Sequence, residues 1–231
     1  MKILRHTKKK KKTRTIFVLI LLIILVGLGL HISKNMPFGP VRTADLSRGW
    51  NLILVNGDYR IPNNYQNEVE LTTLSNGKQV DSRIYPDLQV MFDDARAEGL
   101  QLFVREGYRT REEQQQLLDD KIAAYLNEGY TRQEAERLAK EWVAVPGTSE
   151  HEIGIAVDIN ADTSVSSKDA VYSWLAEHSY KYGFINRYPS DKKEITGVTN
   201  EPWHYRYVGK DVAEEIYTSG LCLEEYLQQL D

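Results

Sequence analysis

SEHEIGIAVDI, residues Ser149–Ile159, sets bulky Ile153, Ile155, Val157 and Ile159 against small or polar Gly154, Ala156 and Asp158. A two-residue period of this kind makes a strand with one face for a core and a second face that carries small side chains and one carboxylate. A strand is therefore expected over Ile153–Ile159. Gly154 permits a turn or bulge, and a bulge would reset the pleat so that His151 and Asp158 point to the same side.

Helical and extended patterns alternate irregularly on either side of this strand. Leu88, Met91, Phe92 and Ala95 have the spacing of one helix face within Pro86–Glu98, and Gly99 suits the position after a helix end. Thr110-Arg-Glu-Glu113 and Thr131-Arg-Gln-Glu134 are capping-box patterns that open helices expected over Arg111–Asn127 and Arg132–Trp142. A further helix is expected over Asp169–Tyr182 and short ones over Val212–Tyr217 and Leu223–Leu230, with strands over Asn51–Asn56, Leu100–Val104 and His204–Val208. No repeat and no regular βαβ order is present. The expected class is α+β, a single domain with a central antiparallel sheet flanked by helices.

The charge distribution separates this domain from what precedes it. Met1–Met36 holds nine Lys or Arg and no acidic residue, which leaves 20 basic and 33 acidic side chains, net −13, in Pro37–Asp231. So acidic a domain is a poor partner for a phosphate backbone, and nucleic-acid binding is excluded as its role. Ile16–Leu30 is apolar or glycine throughout and follows the basic run Lys8–Lys12. Residues 16–32 are just long enough to cross a bilayer, and the basic flank holds its own side in the cytoplasm. Residues 1–15 are thus expected as a cytoplasmic basic segment meeting anionic headgroups, 16–32 as a membrane anchor, 33–48 as a linker, and 49–231 as an extracytoplasmic domain. A cleavable signal peptide is the competing reading, but no A-x-A site follows the apolar run. The one cysteine, Cys222, cannot form an internal disulfide, and its apolar neighbours Leu221 and Leu223 suit packing.

Five histidines limit where chemistry can sit. His6 and His31 belong to the basic and apolar leader, which leaves His151, His178 and His204. His151 lies seven positions before Asp158, and Glu201-Pro-Trp-His204 places a second carboxylate three residues before a second imidazole. Two imidazoles and one carboxylate suffice to hold a zinc ion with one position open, and a further Glu can take a proton from water there. Each of these residues also has a plainer reading, since an isolated His near a strand is usually packed or hydrogen-bonded and an Asp at a strand end usually accepts from turn amides. His151-Glu152 does not begin an H-E-x-x-H helix, because position 155 is Ile.

The two segments together resemble the S-x-H-x-x-G-x-A-x-D and E-x-W-H signatures of the D-alanyl-D-alanine metallocarboxypeptidases, most nearly the VanY type. The wider group also holds D-Ala-D-Ala dipeptidases and lysostaphin-like enzymes. Pro146-Gly147 and Gly107-Tyr-Arg-Thr110 are similar to further family segments, and the resemblance runs from about Leu52 to Val208. It implies that His151, Asp158 and His204 bind Zn2+, that Glu201 is the catalytic base, and that Arg109 holds the substrate, with Ser149 and Gln114 lining its site. The implied substrate is a peptidoglycan stem peptide ending in D-Ala; the chain itself is expected to be monomeric.

These roles suit the residue types. A guanidinium pairs with a terminal carboxylate through two parallel hydrogen bonds and so fixes which peptide bond is presented. Without the motif, Arg109 reads as a surface partner of Glu112 or Glu113, and Gln114 as an exposed helix position. Trp203 reads as packing that fixes His204, and His178 as a surface residue. Two positions depart from the family pattern: Glu106 stands where Ser is usual, and Val145 where many relatives carry Arg. The same apparatus would serve an L,D-carboxypeptidase acting on tetrapeptide stems, and the fold could also hold zinc in a peptidoglycan-binding module without catalysis.

Overall fold

The computed structural model of the chain describes residues 41–63, 65 and 69–230. The cytoplasmic segment, the membrane anchor and the first part of the linker expected from sequence lie outside them. Among the described residues no helix is long and apolar enough to cross a membrane.

The alternation around Asp158 becomes the second strand of a four-stranded antiparallel sheet. Strands β5 (Leu102–Glu106), β6 (Ala156–Ala161), β8 (His204–Tyr207) and β7 (Phe184–Asn186) follow one another across it. On β6, Val157, Ile159 and Ala161 are buried in the main core while Asp158 and Asn160 on the other face are half-buried. β5 repeats the pattern, with Leu102 and Val104 buried and Phe103 and Arg105 exposed. Helix α1 (Tyr85–Ala97) inserts Leu88, Met91, Phe92 and Ala95 into the same core. Helix α4 (Lys168–His178) adds Val171, Trp174 and Leu175.

Helices α2 (Arg111–Asn127) and α3 (Arg132–Lys140) form a hairpin over a small core of their own, built from Leu118, Ile122, Ala135, Ala139 and Val143. Both capping boxes form: the Glu113 amide donates to Thr110 Oγ1 at 3.1 Å and the Thr110 amide to Glu113 Oε2 at 2.8 Å, with the same exchange between Thr131 and Glu134. The short helix α5 (Lys193–Thr196) precedes the Glu201 loop. Helices α6 (Lys210–Ser219) and α7 (Leu223–Gln229) close a third cluster with Ile185 and Val208.

Three local expectations differ from the structure. The strand expected from Ile153 begins only at Ala156, because Glu150–Ile153 form a 3-10 turn, and His151 stands on that turn ahead of β6. Gly154 ends that turn at φ +73°, a left-handed conformation natural to glycine, and its carbonyl accepts from the Asp81 amide at 2.9 Å. The register irregularity lies instead on β5, between Val104 and Glu106, where Glu106 faces Asp158. Asn51–Asn56 is buried at Ile53 and Val55 but joins no sheet, because the carbonyls of Asn51 and Ile53 accept from the Arg206 guanidinium.

The folded unit also starts before Gly49. β1 (Arg42–Thr43) pairs with β2 (Tyr59–Arg60), and Ala44 is buried in the main core. A hairpin of β3 (Leu71–Thr73) and β4 (Gln79–Asp81) turns at Asn76-Gly77, a pair that is itself a hairpin signal.

Candidate metal centre

Two strands and one turn bring together three side chains that the sequence separates by up to 53 positions. Asp158 of β6 and His204 of β8 are direct cross-strand partners, and the 3-10 turn ahead of β6 carries His151 back over the sheet. His204 Nδ1 lies 2.9 Å and His151 Nε2 3.5 Å from Asp158 Oδ1, and one ligand atom from each of the three lies within 4.8 Å of the others. Tetrahedral zinc with bonds of about 2.0–2.1 Å needs ligand atoms roughly 3.3 Å apart, so these spacings and this donor set fit a zinc ion.

The electrostatics are those of a site built for a cation. Burial opposes ionisation of Asp158, but His151 and His204 outweigh it and hold the carboxyl well below the usual range. Burial likewise disfavours charge on His204, yet its hydrogen-bond partner Asp158 and the nearby Glu150 carboxylate prevail and lift it to about 9. The two imidazoles stand edge to face, with ring centroids 5.0 Å apart.

Glu201 flanks the triad from the loop before β8. Its Oε2 is 3.9 Å from His204 Nδ1, and its side chain keeps 23% of its surface exposed. Burial raises its carboxyl pKa, opposed by His204 and reinforced by Asp158, which is the direction a proton acceptor near neutral pH requires. The Glu201 backbone is fixed by its amide donating to Tyr188 O at 3.1 Å and its carbonyl accepting from Asn186 Nδ2 at 3.2 Å.

Arg109 is tied to the centre through the main chain, its amide donating to His151 O at 3.1 Å. Its guanidinium donates to Gln114 Oε1 at 2.6 Å and lies 3.6 Å from Glu106 Oε2. It does not pair with Glu112 or Glu113; Glu113 is engaged in the cap. Gln114 is only 1% exposed and donates onward to Ala144 O at 2.7 Å, so it is no surface position but a brace for Arg109. Ser149 is buried immediately before the His151 turn. Glu106 points at Arg109, and Lys78 Nζ, 3.0 Å from its other oxygen, offsets its charge. His178 is half-buried, stacked on Trp174 and bonded to Trp174 O, away from these groups.

One residue of the centre has no sequence signal. Glu150, next to His151, is fully buried, with Oε1 accepting from Arg187 Nε and Arg206 Nη1, each at 2.8 Å, and Oε2 turned toward His204 Nε2 at 3.5 Å. Burial opposes its ionisation, but the two arginines keep it a carboxylate.

The profile of the VanY family, described as D-alanyl-D-alanine carboxypeptidase, matches residues 77–210, more than half of the chain and all of the residues just placed around the triad. The chain belongs to the VanY family. The D-alanyl-D-alanine carboxypeptidase of Enterococcus faecalis is 59% identical over 178 residues, 77% of this chain and 66% of that protein, so the chain spans just under two thirds of that relative's length. Two solved structures at 59% identity superpose with a TM-score of 0.74. One is the VanY D,D-pentapeptidase of a VanB-type resistance cassette with Zn(II), covering 77% of this chain and 99% of that one. The other is VanYB with D-alanine-D-alanine, covering 78% and 98%. The LD-carboxypeptidase LdcB is similar at 32% identity and a TM-score of 0.66, covering 83% of this chain and 94% of its own.

Proposed function

We propose that the chain is a zinc-dependent D-alanyl-D-alanine carboxypeptidase that removes the terminal D-Ala from peptidoglycan precursors or stem peptides. The observation that carries the reading is the convergence of His151, Asp158 and His204 within 4.8 Å beside a half-buried Glu201 whose carboxyl pKa is raised. A binding module has no use for such a base. The E. faecalis carboxypeptidase and the VanYB complex, both at 59% identity, favour D,D over L,D specificity; LdcB, at 32%, keeps the L,D reading as the alternative.

Zinc, when bound by His151 Nε2, Asp158 Oδ1 and His204 Nδ1, supplies a Lewis acid that polarises the scissile carbonyl and acidifies water. Arg109, braced by Gln114, pairs with the terminal carboxylate and sets the register of the peptide. Glu201 takes the proton from the attacking water and delivers it to the departing D-Ala amine, which is why a raised carboxyl pKa serves it in both directions. Held by an anchor at residues 16–32, this site would face the cell wall, where stems ending in D-Ala are found.

The deciding experiment incubates the zinc-loaded full chain with a pentapeptide stem ending in D-Ala-D-Ala and with a tetrapeptide stem, and weighs the products. Release of one D-Ala from the pentapeptide, abolished by a chelator and restored by zinc, is expected. Release from the tetrapeptide alone would replace the D,D reading by the L,D one, and release from neither would leave only a metal-binding domain.

A further inference from the structure

The two histidines of the centre present opposite nitrogens. His151 donates from Nδ1 to Gly107 O at 2.8 Å and turns Nε2 to Asp158, whereas His204 turns Nδ1 to Asp158 and Nε2 to Glu150. A neutral imidazole binds metal only through the nitrogen that carries no proton, so each ring must be held in a different tautomer. For His151 a backbone carbonyl does this. For His204 no backbone carbonyl stands at Nε2.

We infer that Glu150, clamped by Arg187 and Arg206, is the positioning residue that keeps the proton of His204 on Nε2 and so leaves Nδ1 free for zinc. Glu150 Oε2 and His204 Nε2 are both buried, face each other at 3.5 Å, and are among the few buried polar atoms of the described residues with no hydrogen bond within normal reach. A shift of about half an ångström completes a normal N–H to carboxylate bond between them. No other orientation of the carboxylate is open. Oε1 is committed to two guanidinium donors; Arg187 is in turn gripped by both oxygens of Glu224, at 2.6 and 2.8 Å, and Arg206 by the carbonyls of Ile53 and Asn51. The Tyr188 ring, 4.9 Å from that of His204, limits its tilt. Four charges of balanced sign, Glu150, Arg187 and Arg206 buried and Glu224 half-buried, are a poor way to gain stability compared with apolar packing, which leaves geometry as their use.

The inference rests on the metal reading, and its test separates the two. In Glu150→Gln the two arginines still demand an acceptor at the Oε1 position. The amide NH2 is then left facing His204 Nε2, which must accept, and the proton moves to Nδ1, where it blocks ligation. Zinc affinity of the full chain, measured by competition with a chromogenic chelator, should fall about 10- to 100-fold. Glu224→Gln removes the same charge from the same network without touching His204 and should stay within about threefold of the wild type. Glu150→Asp keeps the charge but withdraws the carboxylate from the ring, and should lose at least about tenfold; it decides the matter if the Gln variant does not fold, as judged by thermal melting of the metal-free chain. Wild-type affinity in folded Glu150→Gln or in Glu150→Asp, or equal losses in the Glu150 and Glu224 variants, would overturn the inference while leaving the zinc site standing. A wild-type chain that takes up no zinc would overturn both.

Discussion

Asp158 and His204 are paired directly across β6 and β8, and this register brings Asp158 Oδ1 within 2.9 Å of His204 Nδ1. In the metal-free chain the pair shares a proton, and the stability it confers depends on pH. His204 has its folded pKa raised from 6.5 to about 9, so its contribution is complete below about 6.5 and is lost as pH rises through about 9. The depressed carboxyls of Asp158 and Glu150 act in the opposite sense, contributing above the ordinary carboxylate range and losing that contribution as pH falls. The metal-free full chain should therefore melt at progressively lower temperature between pH 6.5 and 9, and a zinc-loaded chain, whose Nδ1 carries no proton, should not. Parallel melting curves of the two forms that decline together over this range would refute the shared-proton account.

Glu201 is expected to matter for turnover and not for metal retention, because its oxygen stands 3.9 Å from His204 Nδ1 and it is not one of the three converging ligands. Glu201→Ala should keep zinc at one ion per chain while release of D-Ala falls by roughly 10²- to 10⁴-fold, the range for a positioned general base. Product analysis by mass spectrometry, beside metal analysis of the same sample, checks both halves. A variant that turns over at the wild-type rate would remove Glu201 from the chemistry.

Arg109 is held between a neutral brace, Gln114, and an acid, Glu106, whose second oxygen is occupied by Lys78. Replacing Glu106 by Ser should free more of the guanidinium charge for a substrate carboxylate, and replacing Lys78 by Ala should do the reverse. Each effect should appear in KM with kcat little changed, and be no larger than about fivefold, since partly exposed pairs contribute at most about 1 kcal/mol. Arg109→Lys keeps the charge but loses the two-pronged geometry; kcat/KM should drop about 10- to 100-fold with zinc content unaltered. Unchanged kinetics in Arg109→Lys would assign substrate anchoring to another residue.

What the sequence makes legible here follows from which interactions are local. The Thr110 and Thr131 caps are four-residue patterns, and the expected helix Arg111–Asn127 coincides with α2. The alternation ending at Ile159 is equally local, and it placed Asp158 on the small-residue face of the sheet. Glu150 was not legible, because its role is created by Arg187 and Arg206, 37 and 56 positions away, and no short pattern encodes two guanidinium groups meeting one oxygen. The same distance effect turns Asn51–Asn56 from a strand into an extended segment served by the Arg206 side chain. Gln114 fits the polar face of an isolated helix, but in the fold it is buried, donating to Ala144 O and accepting from Arg109, both of them outside α2.

Gly107 couples the fold to the centre by close approach. Its carbonyl accepts from His151 Nδ1 at 2.8 Å, and the next amide, of Tyr108, donates to Gln79 O at 2.6 Å, which presses the turn onto β4. A Cβ at position 107 would stand 2.2 Å from Gln79 O and 3.2 Å from its carbon, both backbone atoms that cannot swing aside as a side chain could. Gly107→Ala must push the turn and β4 apart, moving the carbonyl that orients His151. Urea unfolding of the metal-free chain should show a loss of about 1–3 kcal/mol, the range for overpacking, and chelator competition should show weaker zinc binding. Gly77→Ala provides the contrast, since φ is +82° there but a Cβ meets nothing within 4 Å. Backbone strain alone should then cost about 1–2 kcal/mol with zinc affinity unchanged. If the two alanine variants lost stability alike and both kept wild-type zinc affinity, the Gly107 carbonyl would not be what orients His151.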